Sequence, residues 1–122
     1  AQGGRVQDGS RRRGASVSRS DQERFDDILL AIQRCRKYAP YLDSSEVGMM
    51  AYDAVLRNLG VIGEAVRALS DETRVSMPGV PWPSIAGLRN IVVHEYFRVD
   101  RDLIVDIIDN QLTQLEESLR SN

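Results

Sequence analysis

The 122-residue chain has little cysteine, histidine and aromatic content, and each shortage excludes a kind of protein. Its single cysteine, Cys35, excludes an internal disulfide. One cysteine with one histidine, His94, cannot build a closed zinc site within one subunit. Because 42% of residues are hydrophobic but only 6% aromatic, the core must consist mainly of aliphatic side chains, which favours helices. We expect no structural metal and no cofactor.

Long apolar runs are also missing. No segment approaches the roughly 18 consecutive apolar residues that a membrane span needs, and the first residues lack the apolar segment of a signal peptide. The chain length suits one domain. We therefore expect a soluble, cytoplasmic protein without a membrane partner.

The net charge of -2 hides an asymmetry. Residues 1–20 carry five arginines against Asp8, or +4, which leaves -6 for residues 21–122. Residues 1–20 form an N-terminal arm that is rich in Gly, Ser and Arg, and this composition predicts disorder. The arm is either a processed end, a cloning remnant or an RNA-binding segment that uses Arg11, Arg12 and Arg13. An acidic body argues against non-specific binding of long nucleic acid, so any RNA contact should be confined to a local site.

Residues 21–122 are predicted to form an all-α domain. Apolar residues recur at three- and four-residue intervals from about Ser20 to Pro40, from Ser44 or Ser45 to Leu69, from Ser84 to Phe97, and after Asp100. We expect a break near Val99 and a last helix capped by Asp100. The proline-rich loop 77–83 separates the second and third of these helices, with Trp82 plugging the loop onto the core. Cys35 lies on the apolar face of the first predicted helix, so we expect it to be a core residue rather than a nucleophile. The pattern predicts an antiparallel up-and-down bundle of four to five helices.

The chemistry-bearing residues lie in one stretch, Arg-Asn-Ile-Val-Val-His-Glu-Tyr, residues 89–96. Arg89 is a permanent cation suited to phosphate, and His94 is of the residue type that most often transfers protons in catalysis. Asn90 is a supporting candidate that can orient a phosphate or the histidine, and Tyr96 can stack on a base or donate a hydrogen bond. Together these residue types suit cleavage of an RNA phosphodiester, in which the 2′-hydroxyl supplies the nucleophile.

Helix geometry restricts how this stretch can act. Arg89 and Tyr96 align to within roughly 20°, whereas His94 points about 140° away from Arg89. Either the helix is distorted or two subunits share the site, as in a two-fold dimer. In a structural alternative, His94 caps or packs near a helix end, and Arg89 forms an ion pair with Glu64 or Glu95.

At these residues the sequence resembles the HepT branch of the HEPN family, whose signature is Arg, four residues, His, one residue, Tyr. Arg89, His94 and Tyr96 match that signature, and the resemblance extends from about Asp21 to Leu119. Further matching segments are Asp-Ala-Val-Leu-Arg-Asn-Leu (53–59), Ile-Gly-Glu-Ala (62–65), Pro-Trp (81–82) and Gly-Leu-Arg-Asn (87–90).

The resemblance implies a HEPN-like helical homodimer that acts as a metal-independent endoribonuclease toxin, with Arg89 and His94 catalytic in a cleft between subunits. It also implies a minimal nucleotidyltransferase antitoxin, MntA, that transfers AMP from ATP to Tyr96, and a transfer or messenger RNA substrate. Two alternatives remain: a non-catalytic HEPN module that binds RNA or nucleotide, and a regulatory dimer that binds a nucleotidyltransferase.

Overall fold

A computed structural model describes residues 19–121, which are helical without any strand in that range. The predicted arm, residues 1–20, lies outside the described residues except for Arg19 and Ser20, which belong to the first helix. The elements in chain order are α1 (Arg19–Tyr38), a 3-10 turn (Ala39–Tyr41), α2 (Gly48–Ala68), α3 (Asp71–Ser76), α4 (Trp82–Ala86), α5 (Leu88–Arg98), α6 (Arg101–Asp106), a π-helical segment (Ile107–Gln111) and α7 (Leu112–Arg120). In this part of the chain, no helix is both long and apolar enough to cross a membrane.

The two longest helices, α1 and α2, pack side by side in opposite directions. Asp21 at the start of α1 accepts hydrogen bonds from the Ser70 and Thr73 hydroxyls, 2.7 and 2.6 Å away, just beyond the end of α2. Ser70 also caps α3, since its hydroxyl accepts from the Thr73 backbone N–H. This buried polar network fixes the ends of α1 and α2 to each other and holds the short α3 in place.

The core between these helices is aliphatic, as the composition predicted. Residues on the predicted face of α1 are buried, including Cys35, whose Sγ lies 3.9 Å from the Val55 carbonyl oxygen of α2. Burial raises the pKa of the Cys35 thiol to about 12. The assignment of Cys35 to the core is confirmed.

Helix α5 packs against α2, also in the opposite direction. Its first residues lie against Gly63 near the end of α2, and Glu95 near its end reaches Tyr52 near the start of α2. A Cβ at Gly63 would lie 3.2 Å from the Arg89 backbone nitrogen, so glycine permits the close approach of α5. At Gly60 the same added atom would meet nothing within 4 Å. The close crossing of α2 and α5 is thus at Gly63.

The proline-rich loop is closed by Trp82, as predicted. The indole is buried and its Nε1–H donates to the carbonyl oxygens of Arg74 and Met77, at 2.9 and 3.1 Å. These bonds satisfy the polar end of a large apolar side chain and hold α4 against the end of α3.

The chain turns sharply after α5. Val99 adopts a left-handed conformation with φ of 52°, which ends α5, and the Asp100 side chain caps α6 by accepting from the Leu103 N–H at 3.1 Å. The predicted break near Val99 and the predicted cap at Asp100 are confirmed. The last helical region packs on α1, and the Arg36 side chain binds Glu116 and Thr113 of α7.

The predicted all-α class is confirmed, but the predicted number of four to five helices is wrong for residues 19–121. Three features account for the difference: α3 was not predicted, the helix expected over 84–97 is divided at Gly87, and the final helix contains a π-helical turn. The second helix also begins at Gly48, since Ser44 instead accepts from the Val47 N–H to form a turn.

Candidate functional site

All four candidate residues lie on α5, which is an unbroken α-helix from Leu88 to Arg98. Leu88 and Glu95 are buried, and Ile91 and Val92 pack partly against the core. The rest of the circumference is exposed. The helix containing the signature is therefore confirmed, and the distorted helix that would bring Arg89 and His94 together is not observed.

The exposed side of α5 carries two rows of side chains. Arg89, Val93 and Tyr96 form the first, here called the Arg89 row, and lie within about 60° of one another. The second row, here called the His94 row, consists of Asn90, His94 and Arg98. Its members are four residues apart, and each step turns about 40° around the helix axis. The signature spacing therefore places the arginine and the histidine in different rows.

Arg89 forms an ion pair with Glu64 of α2, with 2.8 Å between Nη1 and Oε1. The two side chains are 56% and 58% exposed, so the pair contributes little to stability and a phosphate can replace the carboxylate at low cost. The Glu64 partner named in the structural alternative is thus observed. Glu95, the other partner considered, points into the core instead.

His94, Asn90 and Tyr96 remain available for ligands. All three are exposed, and among residues 19–121 their side chains have no hydrogen-bonding partner. His94 therefore neither packs in the core nor caps a helix end in the described part of the chain. Tyr96 is 55% exposed, so a second molecule can approach its hydroxyl.

Glu95 orients the helix and was missed by sequence reasoning as a site residue. Its buried carboxylate accepts from the Tyr52 hydroxyl at 2.9 Å and from the Asp100 backbone N–H at 2.5 Å. Burial and the hydrogen bond to Glu95 raise the pKa of Tyr52 well above its usual range. Because Glu95 lies between His94 and Tyr96, these bonds hold both neighbours outward. The sequence spacing does indicate that Glu95 is on the buried side of α5, because it follows the apolar Leu88 by seven residues, or two helical turns.

Apolar side chains accompany the polar ones on this surface. Phe97 is 88% exposed and Val93 58%, and both lie on the solvent side of α5. Exposed apolar groups gathered around polar candidates are typical of contact surfaces. Within residues 19–121, no group of three or more His, Cys, Asp or Glu side chains is arranged to hold a metal ion.

Comparison with known proteins identifies the family. The model of the family described as ribonuclease HepT-like matches residues 28–121. The chain belongs to the HepT-like ribonuclease family. The family expected from the residue signature is thereby confirmed.

Individual relatives agree with this assignment. A candidate RNase of Methanocaldococcus jannaschii is 32% identical over 106 residues, which cover 84% of this chain and 97% of that protein. The probable ribonuclease HepT of Thermococcus cleftensis is 24% identical over 102 residues, covering 82% and 93%. A candidate RNase of Caldanaerobacter subterraneus subsp. tengcongensis is 40% identical over 67 residues, covering 55% and 60%. No solved structure matches the chain.

Proposed function

We propose that this protein is a cytoplasmic, metal-independent endoribonuclease toxin that cleaves transfer or messenger RNA. The observation that carries the proposal is the exposure of all three signature side chains on one helix of a HepT-like chain. The names of the relatives, which include ribonucleases, support it.

The proposed reaction uses the RNA 2′-hydroxyl as the nucleophile. Its oxygen forms a bond to the adjacent phosphorus while the bond to the 5′-oxygen breaks, which yields a 2′,3′-cyclic phosphate and a 5′-hydroxyl. His94 accepts the 2′-hydroxyl proton or donates a proton to the leaving oxygen. Arg89 neutralises the charge that develops on the phosphate, and Asn90 orients that group. No step in this sequence requires a metal ion.

A homodimer would complete the site. Since α5 is an unbroken helix, its own Arg89 and His94 point about 140° apart, whereas two α5 helices related by a two-fold axis bring both residue types to one cleft. The exposed Val93 and Phe97 supply apolar surface for that contact. The two histidines of the dimer would then divide the acid and base roles.

The cleavage test uses purified protein and total RNA in excess EDTA, with fragments analysed on a gel. Wild type should cut RNA, whereas Arg89→Ala and His94→Ala should not. The matched control is Arg34→Ala, which changes an exposed arginine on α1 and should cut like wild type. Cleavage by His94→Ala would refute the assignment. RNA binding without cleavage by wild type would instead favour the non-catalytic module.

The dimer is tested by light scattering coupled to gel filtration. Phe97→Glu should dissociate the dimer and abolish cleavage, whereas Val75→Glu, at a 78% exposed valine on α3, should do neither. A wild-type monomer with full activity would contradict the shared site.

We further propose that an MntA-like nucleotidyltransferase antitoxin inactivates the toxin by modifying Tyr96. The Tyr96 oxygen would form a bond to the α-phosphorus of ATP and displace pyrophosphate, giving an AMP ester. Tyr96 lies in the Arg89 row about 10 Å along the helix from Arg89, so the added phosphate would compete with RNA for this cation.

This modification is tested by intact-mass analysis after incubation with the partner and ATP. Wild type should gain the mass of AMP and lose activity, and Tyr96→Phe should remain unmodified. Tyr41→Phe is the matched control, because Tyr41 is 54% exposed and Tyr96 55%. Modification of Tyr96→Phe would refute the assignment. A wild-type dimer that bound the partner but neither cut nor bound RNA would favour the regulatory alternative.

A further inference from the structure

The His94 row ends in an arginine that no part of the proposed reaction uses. Arg98 follows His94 by four residues, so the two side chains lie about 40° apart around α5 and about 6 Å apart along its axis. Arg98 is exposed, and within residues 19–121 it forms no ion pair or hydrogen bond. Arg89, by contrast, lies about 140° from His94 and is paired with Glu64.

Most acidic groups near Arg98 are engaged elsewhere. The Glu95 carboxylate is buried against Tyr52, and the Asp100 carboxylate caps α6. Asp102 lines the same shallow cleft as Arg98 but does not pair with it. The Arg98 charge is therefore free to meet an anion beside His94.

We infer that Arg98 binds the RNA phosphate next to the one that is cut, and that the His94 row is the track of the RNA strand on each subunit. The row from Asn90 to Arg98 spans about 12 Å along the helix, which is long enough for more than one phosphate. Arg98 would hold the strand while His94 transfers the proton. This inference rests on the proposed ribonuclease function.

The test measures how RNA affinity depends on salt. The probe is a short fluorescein-labelled 2′-O-methyl oligoribonucleotide of mixed sequence, which cannot be cut because it lacks the 2′-hydroxyl. Dissociation constants are measured by anisotropy between about 50 and 300 mM NaCl, since each phosphate contact to a single strand contributes about 0.7 to the slope of log affinity against log salt. Wild type is compared with Arg98→Ala, Arg98→Lys and the control Arg34→Ala.

Arg98→Ala should lower the slope by about 0.7 and weaken binding about fivefold at the lowest salt. Arg98→Lys should keep the wild-type slope because the charge remains, and Arg34→Ala should match wild type. Circular dichroism checks folding, and Arg98→Gln replaces Arg98→Ala if the alanine variant loses helix content.

Two outcomes overturn the inference and differ in what else they overturn. If wild type binds the probe and cuts RNA but the slope is unchanged in Arg98→Ala, Arg98 does not contact phosphate and the ribonuclease proposal stands. If wild type neither binds the probe nor cuts RNA, the ribonuclease proposal fails and the role of Arg98 fails with it.

Discussion

Two glycines three residues apart on α2 provide a matched test of how closely α5 approaches this helix. A Cβ added at Gly60 would meet nothing within 4 Å, whereas one added at Gly63 would lie 3.2 Å from the Arg89 nitrogen and 3.5 Å from the Ala86 carbonyl oxygen. Both glycines are within the same helix, so alanine changes the helix propensity equally at each site.

The expected free energies follow from these contacts. Alanine in place of a helical glycine stabilises by about 0.8–1 kcal/mol, and Gly60→Ala should show most of this gain. At Gly63 the new methyl group must push away backbone atoms of the α4–α5 junction, and overpacking of this kind costs about 1–3 kcal/mol. Gly63→Ala should therefore be less stable than Gly60→Ala by about 1–3 kcal/mol.

The assay is urea unfolding followed by circular dichroism at one fixed protein concentration, since the proposed dimer would make stability concentration-dependent. The midpoint for Gly60→Ala should rise above that of wild type, and the midpoint for Gly63→Ala should fall below that of Gly60→Ala without a change in slope. Equal stabilisation by both substitutions would refute the close packing of α5 on Gly63. Because Gly63 contacts the Arg89 backbone, Gly63→Ala should also reduce RNA cleavage more than Gly60→Ala does.

Three further predictions concern stability and reactivity. Cys35, with its pKa raised to about 12, should react with Ellman's reagent at pH 8 only after unfolding in urea, and rapid reaction of the native protein would contradict its burial. Tyr52→Phe removes a donor to the buried Glu95 carboxylate and should lower the free energy of unfolding by about 1–3 kcal/mol, whereas an unchanged urea midpoint would show that the bond is dispensable. The hydrogen bond from Arg36 lowers the pKa of Glu116 below its ordinary 4.5. The ionised Glu116 therefore stabilises the folded protein above pH 4.5, and this stabilisation is lost as the pH falls through the pKa of Glu116 in the folded state. Urea midpoints of wild type and Glu116→Gln should therefore converge in acid, and a constant difference from pH 7 downward would refute the ionic contribution.

Features set by neighbouring residues were predictable from the sequence. The apolar spacing of α1 predicted a buried Cys35, the aspartate after the turn predicted the α6 cap, and the prolines around Trp82 predicted a loop closed by that side chain. Each depends on side-chain periodicity or on a capping contact within a few residues, which a linear pattern contains.

Features set by contacts distant in sequence were not predictable. The short α3 is held by Asp21, 49 residues before its Ser70 cap, and Glu95 is held by Tyr52, 43 residues away. The π-helical segment likewise interrupts a region whose apolar spacing is compatible with one continuous helix. Such outcomes depend on how helices pack together, and local propensity is a weak guide to packing.

The candidate site combines both kinds of information. The spacing of Arg89, His94 and Tyr96 predicted that they share a helix but not a face, and the unbroken α5 retains that separation. Packing then selects which part of the helix is exposed: with Leu88 and Glu95 buried, both the Arg89 row and the His94 row face solvent. Because one chain displays the two rows side by side instead of converging them, a single phosphate in the proposed dimer would receive Arg89 and His94 from different subunits. Within each subunit, Arg98 is then the cation placed on the same face as His94.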